Sequence, residues 1–281
     1  MLKITFFGTT TLLFDDGTDQ ILFDAHFTRP SLSKYIMGAK VETNTALCDK
    51  IIGLHHIDRL RAIFISHTHH DHVMDAPYMA NRCKAVICGS RSAKNVAIGG
   101  GVPEDRTVVF QDGSEYSIGG YRIRILKSLH SKPTILNNNL GEQIEEPLVQ
   151  PASLRDYKEG GSYDFFVEHG DKKILIRPSF NYIKGQLDGI QTDILFLGVA
   201  GLAKADETTE KTFFAETVEK TKARLVIPVH WDNFFSSLES PIVDMPDVVE
   251  RSEEVFFKLG RFCETHGVNL LIQYPCTSME I

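Results

Sequence analysis

Residues 62–72 read AIFISHTHHDH, a continuous apolar run that empties into four histidines and an aspartate. An apolar stretch without polar alternation reads as a strand buried on both faces, as in sheets covered by helices. The cluster at its end therefore lies at the edge of a sheet. Histidine is only 11 of 281 residues, so such a density needs a cause. His67 and His69 stand two apart, and Asp71 and His72 follow within three residues. Imidazole nitrogens with a carboxylate suit zinc or a similar divalent ion. Six residues cannot wrap all these groups around one ion, so two adjacent ions sharing the loop is the economical arrangement. A loop that merely capped the next helix would need one Asp or Ser, not three histidines and an acid. His70 is left as the non-ligand.

A metal site also needs contributors from elsewhere in the chain. His130 ends the strand-like RIRILKSLH and His230 ends LVIPVH, each repeating the order strand, histidine, loop. His26 in ILFDAHF shares that placement, with Asp24 beside it. A ligating histidine usually gives its second ring nitrogen to a carboxylate, which makes Asp24 the expected support. His55, His56, His169 and His266 fall in helix or turn contexts and read as unrelated.

The surrounding pattern is a meander of strands followed by strands alternating with helices, once in each half of the chain. KITFF, TLLFDD and QILFDA open the first half; a mixed, largely helical stretch covers 31–60; helices are expected around 75–82 and 90–98. YDFFVEHG, KKILIRP and TDILFLG open the second half, with helices expected from about 206 and 247 and a last strand NLLIQY. Sheets covered by helices on their outer faces follow. The Phe213–Phe214 and Phe256–Phe257 pairs sit in amphipathic helices and read as core. Residues 131–162 are rich in Pro, Asn, Gly and Glu; an aperiodic loop of this length predicts a segment bordering a pocket, with Arg155 and Tyr157 its first polar candidates.

The balance of 30 basic against 37 acidic residues, net −7, disfavours a nucleic-acid partner, because phosphate binding needs clustered Lys and Arg. Five widely spaced cysteines without a CxxC predict reduced thiols and a cytoplasmic setting. The N-terminal MLKITFFGTTTLLFDDG alternates like a strand and lacks a cleavage site, so it does not read as a leader. No apolar stretch approaches the roughly 20 residues that span a bilayer.

The motif His67-x-His69-x-Asp71-His72 after an apolar strand, with His130 and His230 at later strand ends, resembles the metallo-β-lactamase superfamily. The likeness runs from Asp24 to His230. It implies an α/β (α+β) fold, a four-layer αββα sandwich in one domain spanning 1–281, with the metal site at one edge between the sheets. It also implies His67, His69 and His130 as ligands of a first metal, and Asp71, His72 and His230 of a second. Asp24 would be the supporting aspartate, and Asp71 would also act in catalysis by orienting the attacking water. Zinc is the expected ion, with Mn2+ or Fe2+ also compatible. Diiron oxygen-reducing relatives carry Glu where His69 stands.

Within the superfamily the likeness is nearest to the branch holding ascorbate-phosphate lactonase and phosphodiesterase-like relatives. The activity implied is metal-dependent hydrolysis of a small anionic ester, lactone or phosphodiester. The competing reading is a degenerate metal-binding or ligand-sensing protein that keeps the fold. The expected partner is a small molecule, with no nucleic acid, no membrane and no oligomeric state implied. One position departs from the pattern: Arg177, in KKILIRPSF, stands where relatives place an aspartate that bridges the two metals. The expectation is one firmly held ion and a second that is weaker or missing. Three placements are open to Arg177: turned away onto a carboxylate, within the second metal place, or facing the pocket to grip an anionic substrate group, where it would join His26, Trp231 and Tyr157 in the expected substrate pocket.

Overall fold

A computed structural model describes residues 1–134 and 138–281. Strands β1 (Lys3–Phe6), β2 (Leu12–Asp15) and β3 (Gln20–Phe23) form an antiparallel meander. Helix α1 (Leu32–Ile36), strand β4 (Lys40–Val41) and helix α2 (Thr45–Leu54) lead to β5 (Leu60–Phe64), which runs parallel to β3. Helices α3 (His70–Val73) and α4 (Ala76–Cys83), strand β6 (Val86–Gly89), helix α5 (Arg91–Gly99) and strand β7 (Thr107–Val109) complete the first half. The second half repeats the scheme. Strands β8 (Glu115–Ile118), β9 (Tyr121–Ser128), β11 (Ser162–His169) and β12 (Lys172–Arg177) are antiparallel neighbours, with β10 (Ala152–Ser153) between β9 and β11 in the chain. Parallel strands β13 (Ile194–Gly198), β14 (Leu225–Val229) and β15 (Asn269–Leu270) follow, separated by helices α6 (Glu207–Phe214) and α7 (Ser252–His266). The chain ends in β16 (Thr277–Glu280).

Two seven-stranded sheets result, in the orders β16-β1-β2-β3-β5-β6-β7 and β15-β14-β13-β12-β11-β9-β8, with β10 and β4 paired apart. Alternation along the strands explains the layering. Ile4, Phe6, Phe14, Phe23 and Phe64 join Ile123, Ile125, Phe165 and Ile176 in one buried cluster between the sheets, which continues onto Phe213, Val218, Val255 and Leu259 of the helical cover of the second sheet. The opposite set from the first sheet, Leu13, Leu22, Ile63 and Ile87, packs with Leu47, Ile51, Met79 and Val96 of α2, α4 and α5. Helix, sheet, sheet, helix is the order expected.

Three boundaries differ from the sequence reading. The last strand pairs only at Asn269–Leu270, and an unexpected strand, β16, returns beside β1, where the side chain of Gln273 donates to the carbonyls of Ile4 and Thr277. Helix α7 begins at Ser252 rather than near 247, because the carboxylate of Glu250 is used to accept the amides of Gly201 and Ala203. The 131–162 segment is not wholly irregular: Leu154–Asp156 form a 3-10 turn behind the short strand β10, and Ile144, Ala152, Leu154 and Tyr157 are buried on the outer face of the first sheet. Residues 135–137 of that segment lie outside the described residues. No helix among the described residues is long and apolar enough to cross a membrane.

Candidate metal centre

The site is assembled beyond the carboxyl ends of the parallel strands β5 and β14, where open sheets place their ligands, and of the antiparallel strand β9. Beyond β5 the chain runs Ile65–Ser66 and then delivers His67, Thr68 and His69 before turning into the short helix α3 at His70. His69 is the extended residue preceding that helix, and its carbonyl accepts the amides of His72 and Val73. This turn swings Asp71 and His72 away from His67 and His69, so one hexapeptide serves two places. The second sheet supplies the rest: His130 follows β9, and His230 follows β14 in a left-handed conformation, its amide donating to Thr9 O at 2.6 Å.

Two triads form. Within each of them, His67–His69–His130 and Asp71–His72–His230, one potential donor atom per residue lies within 4.8 Å of the others. His69 Nδ1 is 3.1 Å from His130 Nε2, and Asp71 Oδ2 is 3.3 Å from His230 Nε2 and 3.6 Å from His72 Nε2. The rings of His67 and His72 are 3.7 Å apart between centroids, so the triads share a wall.

Neighbours fix which nitrogen each ring can offer. Asp24 is fully buried and accepts from the amide and hydroxyl of Ser66, both at 2.8 Å, from the Thr10 hydroxyl, and from His72 Nδ1 at 2.7 Å. An ionised carboxylate only accepts, so the His72 proton sits on Nδ1 and its Nε2 lone pair is open. Asn139 Oδ1 is 2.7 Å from His69 Nε2, which puts that ring's proton on Nε2 and its lone pair on Nδ1, facing His130. His130 Nδ1 donates to Ser131 O at 2.9 Å, which places the lone pair on Nε2, the atom that faces His69. Nε2 of His67 and of His72 are buried without a hydrogen-bond partner. Buried polar atoms are rarely left so, and a coordinated cation would satisfy them.

The electrostatics of the first triad and of Asp71 agree with that donor set, whereas at His72 the carboxylates of Asp71 and Asp24 outweigh burial and raise the ring above its usual range. Burial, reinforced by neighbouring histidines, holds His67 well below the usual imidazole range and brings His130 down to about 3; burial also lowers His69. The neutral ring is the form that coordinates. Burial alone would raise Asp71, but His72, His230 and His70 outweigh it and keep the carboxyl well below its usual range. Three imidazoles on one side and two with a carboxylate on the other fit a divalent N/O-binding ion in each place.

The triads open on a cavity of about 770 Å³ lined by His69, Asp71, His130 and His230. Ser131, Lys132, Pro133, Thr134, Asn139, Leu154 and Tyr157 of the long segment line it too. Trp231 also lines it, as does Tyr157, but the Tyr157 hydroxyl accepts from Gln150 Nε2 at 2.9 Å and the ring is packed into the wall. Arg155 lies against the Tyr35 ring rather than in the lining.

Two expected pocket residues are elsewhere. His26 is fully buried, with Nδ1 3.2 Å from the Thr9 hydroxyl, and does not line the cavity, because the turn after β3 points it into the first sheet's connecting loops. Arg177 does not face the site. Its guanidinium is fully buried 3.1 Å from Asp164, and Nη2 donates to Asn181 O at 2.9 Å. A buried guanidinium needs a carboxylate, and β11 provides one directly beside the Phe165–Ile176 pair. After Pro178 the chain presents Ser179, Phe180 and Asn181 to the cavity instead, none of them a carboxylate.

The sequence reading also missed the Gly8–Thr11 turn. Thr10 braces Asp24; Thr9 holds His230 through its carbonyl, and its amide donates to Asp232, which pairs with Arg29 at 2.8 Å. Gly8, at φ +96°, is pressed so closely against Arg29 and Asp232 that a Cβ would overlap both. A hairpin turn carrying three hydroxyls where Asn-Gly is usual was the available signal.

Residues 3–230 match the family model described as beta-lactamase superfamily domain. The chain is 29% identical over 106 residues to a metal-dependent hydrolase from Roseiflexus sp. (strain RS-1), covering 38% of this chain and 43% of that protein. A metal-dependent hydrolase from Roseiflexus castenholzii is 29% identical over 115 residues, 41% of this chain and 47% of its own. The matched region thus spans less than half the length of these relatives. Among solved structures, the metallo-beta-lactamase fold protein YhfI from Bacillus subtilis is similar over 100% of both chains, at 14% identity and a TM-score of 0.58. An isothiocyanate hydrolase from Delia radicum gut bacteria is similar over 99% of this chain and 98% of its own, at 16% identity and a TM-score of 0.60.

Proposed function

The chain belongs to the beta-lactamase superfamily, and from that premise we propose that it is a metal-dependent hydrolase of a small-molecule ester, lactone or phosphodiester. The observation that carries this reading is the pair of triads, each with its donor atoms within 4.8 Å, opening on one cavity. His67, His69 and His130 would hold one ion; Asp71, His72 and His230 would hold a second. A divalent metal there, zinc in our reading, would supply a nucleophile at neutral pH and polarise the oxygen of the scissile group.

The protein's own part is orientation. Asn139 and Ser131 set the rings of His69 and His130, and Asp24 sets His72. Asp71, kept ionised by its histidine neighbours, can accept a hydrogen bond from the attacking water and fix its direction. The exit of β12 lines the cavity with Ser179 rather than a carboxylate, so Asp71, His72 and His230 would hold a second ion with one acidic group among them, and more weakly than the first. The charge of −7 argues for a small substrate over a nucleic acid. A degenerate metal-binding or ligand-sensing member of the fold would keep the donors and turn over no substrate, so metal content and turnover together separate the two readings.

Elemental analysis of the purified protein, with hydrolysis assays before and after adding Zn2+, tests the reading. The expected result is at least one ion per chain, and loss of both most metal and all turnover in His69→Ala. Full metal retention in that variant would remove the assignment.

A further inference from the structure

We propose that the substrate is a carboxylic ester or lactone carrying a long apolar or aryl group, rather than a phosphorylated or polyanionic molecule; this rests on the hydrolytic reading above. A cavity of about 770 Å³ is far larger than a metal site needs and lies in the range that encloses a drug-sized ligand. Beyond the donor residues its lining includes the aromatic side chains Phe180, Tyr182, Phe213, Trp231, Phe234 and Phe235. Phe180 packs on Phe213 at 4.3 Å and Phe234 on Phe235 at 4.5 Å, and Phe234 meets the His230 ring edge-on at 5.1 Å. The apolar wall therefore continues up to a donor of the second triad.

Several of the groups that could grip a phosphate are already engaged. Among the described residues no arginine lines the cavity. The first-turn amide of Thr209 at the start of α6 donates to Asp206, a lining residue of this chain. The amides of Gly201 and Ala203 both donate to Glu250, another lining carboxylate, at 2.8 Å. Backbone amides that elsewhere receive a phosphate are here filled by the protein's own acids, which would repel a polyanion. The three lining lysines are exposed. Lys204 donates to the carbonyls of Val248 and Val249, Lys132 lies in the field of Asp206, and Lys184 in that of Glu216.

In the reaction, the oxygen of water bonds to the acyl carbon and the acyl carbon–oxygen bond breaks. One proton passes to the leaving alkoxide and one to solvent, giving an alcohol and a carboxylate. The apolar acyl or aryl part lies along the phenylalanine wall.

The test is a series of p-nitrophenyl esters from acetate to decanoate on the zinc-supplemented full chain, beside bis(p-nitrophenyl) phosphate. Burying each methylene should raise kcat/KM by about fourfold, the factor corresponding to about 0.8 kcal/mol per CH2, until the cavity is filled. Phe235→Asp should flatten that slope. Trp231 is the chain's one tryptophan and lines the cavity, so its fluorescence reports occupancy without turnover. Decanoate should shift it at far lower concentration than butyrate, which has the same head group. Ester cleavage with a flat or falling series, or faster cleavage of the phosphodiester, overturns the inference and leaves the hydrolytic reading standing. No cleavage of any probe removes the hydrolytic reading and the ester assignment with it, whereas equal shifts by decanoate and butyrate overturn the apolar preference alone.

Discussion

At the scale of single residues, the motif was legible because chemistry and spacing coincide in one hexapeptide. Imidazoles in the order His67, His69, Asp71, His72 after a buried strand leave few alternatives. The error over Arg177 has an equally local cause. Counting along β12 locates the strand end but not the turn at Pro178, after which Ser179 occupies the cavity wall. The substitution that would supply a missing carboxylate is therefore Ser179→Asp, not a change at 177. We expect Ser179→Asp to strengthen the weaker ion, moving metal content toward two per chain. Calorimetric titration with Zn2+ of both proteins checks it; two equally tight sites in the natural sequence would contradict the account. Arg177→Asp should instead place two carboxylates together in the interior and lower stability without adding metal.

At the scale of elements, the sheets were predictable from alternation, and the 131–162 wall of the cavity from its irregular composition; the other walls were not. Those come from 178–184, 200–206 and the irregular stretch 232–250, where side-chain direction depends on what the loop packs against. The pair Asp164–Arg177 ties two of these scales together. It joins β11 to β12, and Arg177 holds the backbone carbonyl of Asn181, whose side-chain Nδ2 in turn donates to His130 O at 2.6 Å. Burial pushes the Asp164 carboxyl up to about 6 against the pull of Arg177, so neither partner tolerates the loss of the other. Arg177→Met should cost roughly 3–5 kcal/mol, while Arg177→Met with Asp164→Leu should recover most of it. Urea unfolding of the singles and the double gives the coupling directly, and additive losses would refute it. The single variant should also loosen His130 and weaken the first ion.

At the scale of the whole molecule, the meander-then-alternating scheme in each half anticipated both sheets, while β16 escaped notice because a four-residue strand at a chain end has too little pattern to register. Four of the candidate donors come from the segment after β5 and two from the other sheet. Bound ions would therefore stabilise the docking of the sheets. With free metal about a thousandfold above Kd, the gain is roughly 4 kcal/mol. Chelation should lower Tm by on the order of 10 °C, seen by differential scanning calorimetry; an unchanged Tm on complete metal removal would contradict ligation across the sheets. That same division makes the chain a candidate for a split reporter. Cut in the exposed turn at 111–113, it gives one fragment with His67, His69, Asp71 and His72 and another with His130 and His230, and neither holds a full triad. Reassembly of the two pieces should then answer to zinc concentration, with the ion acting as the switch that brings two separately made polypeptides back into one.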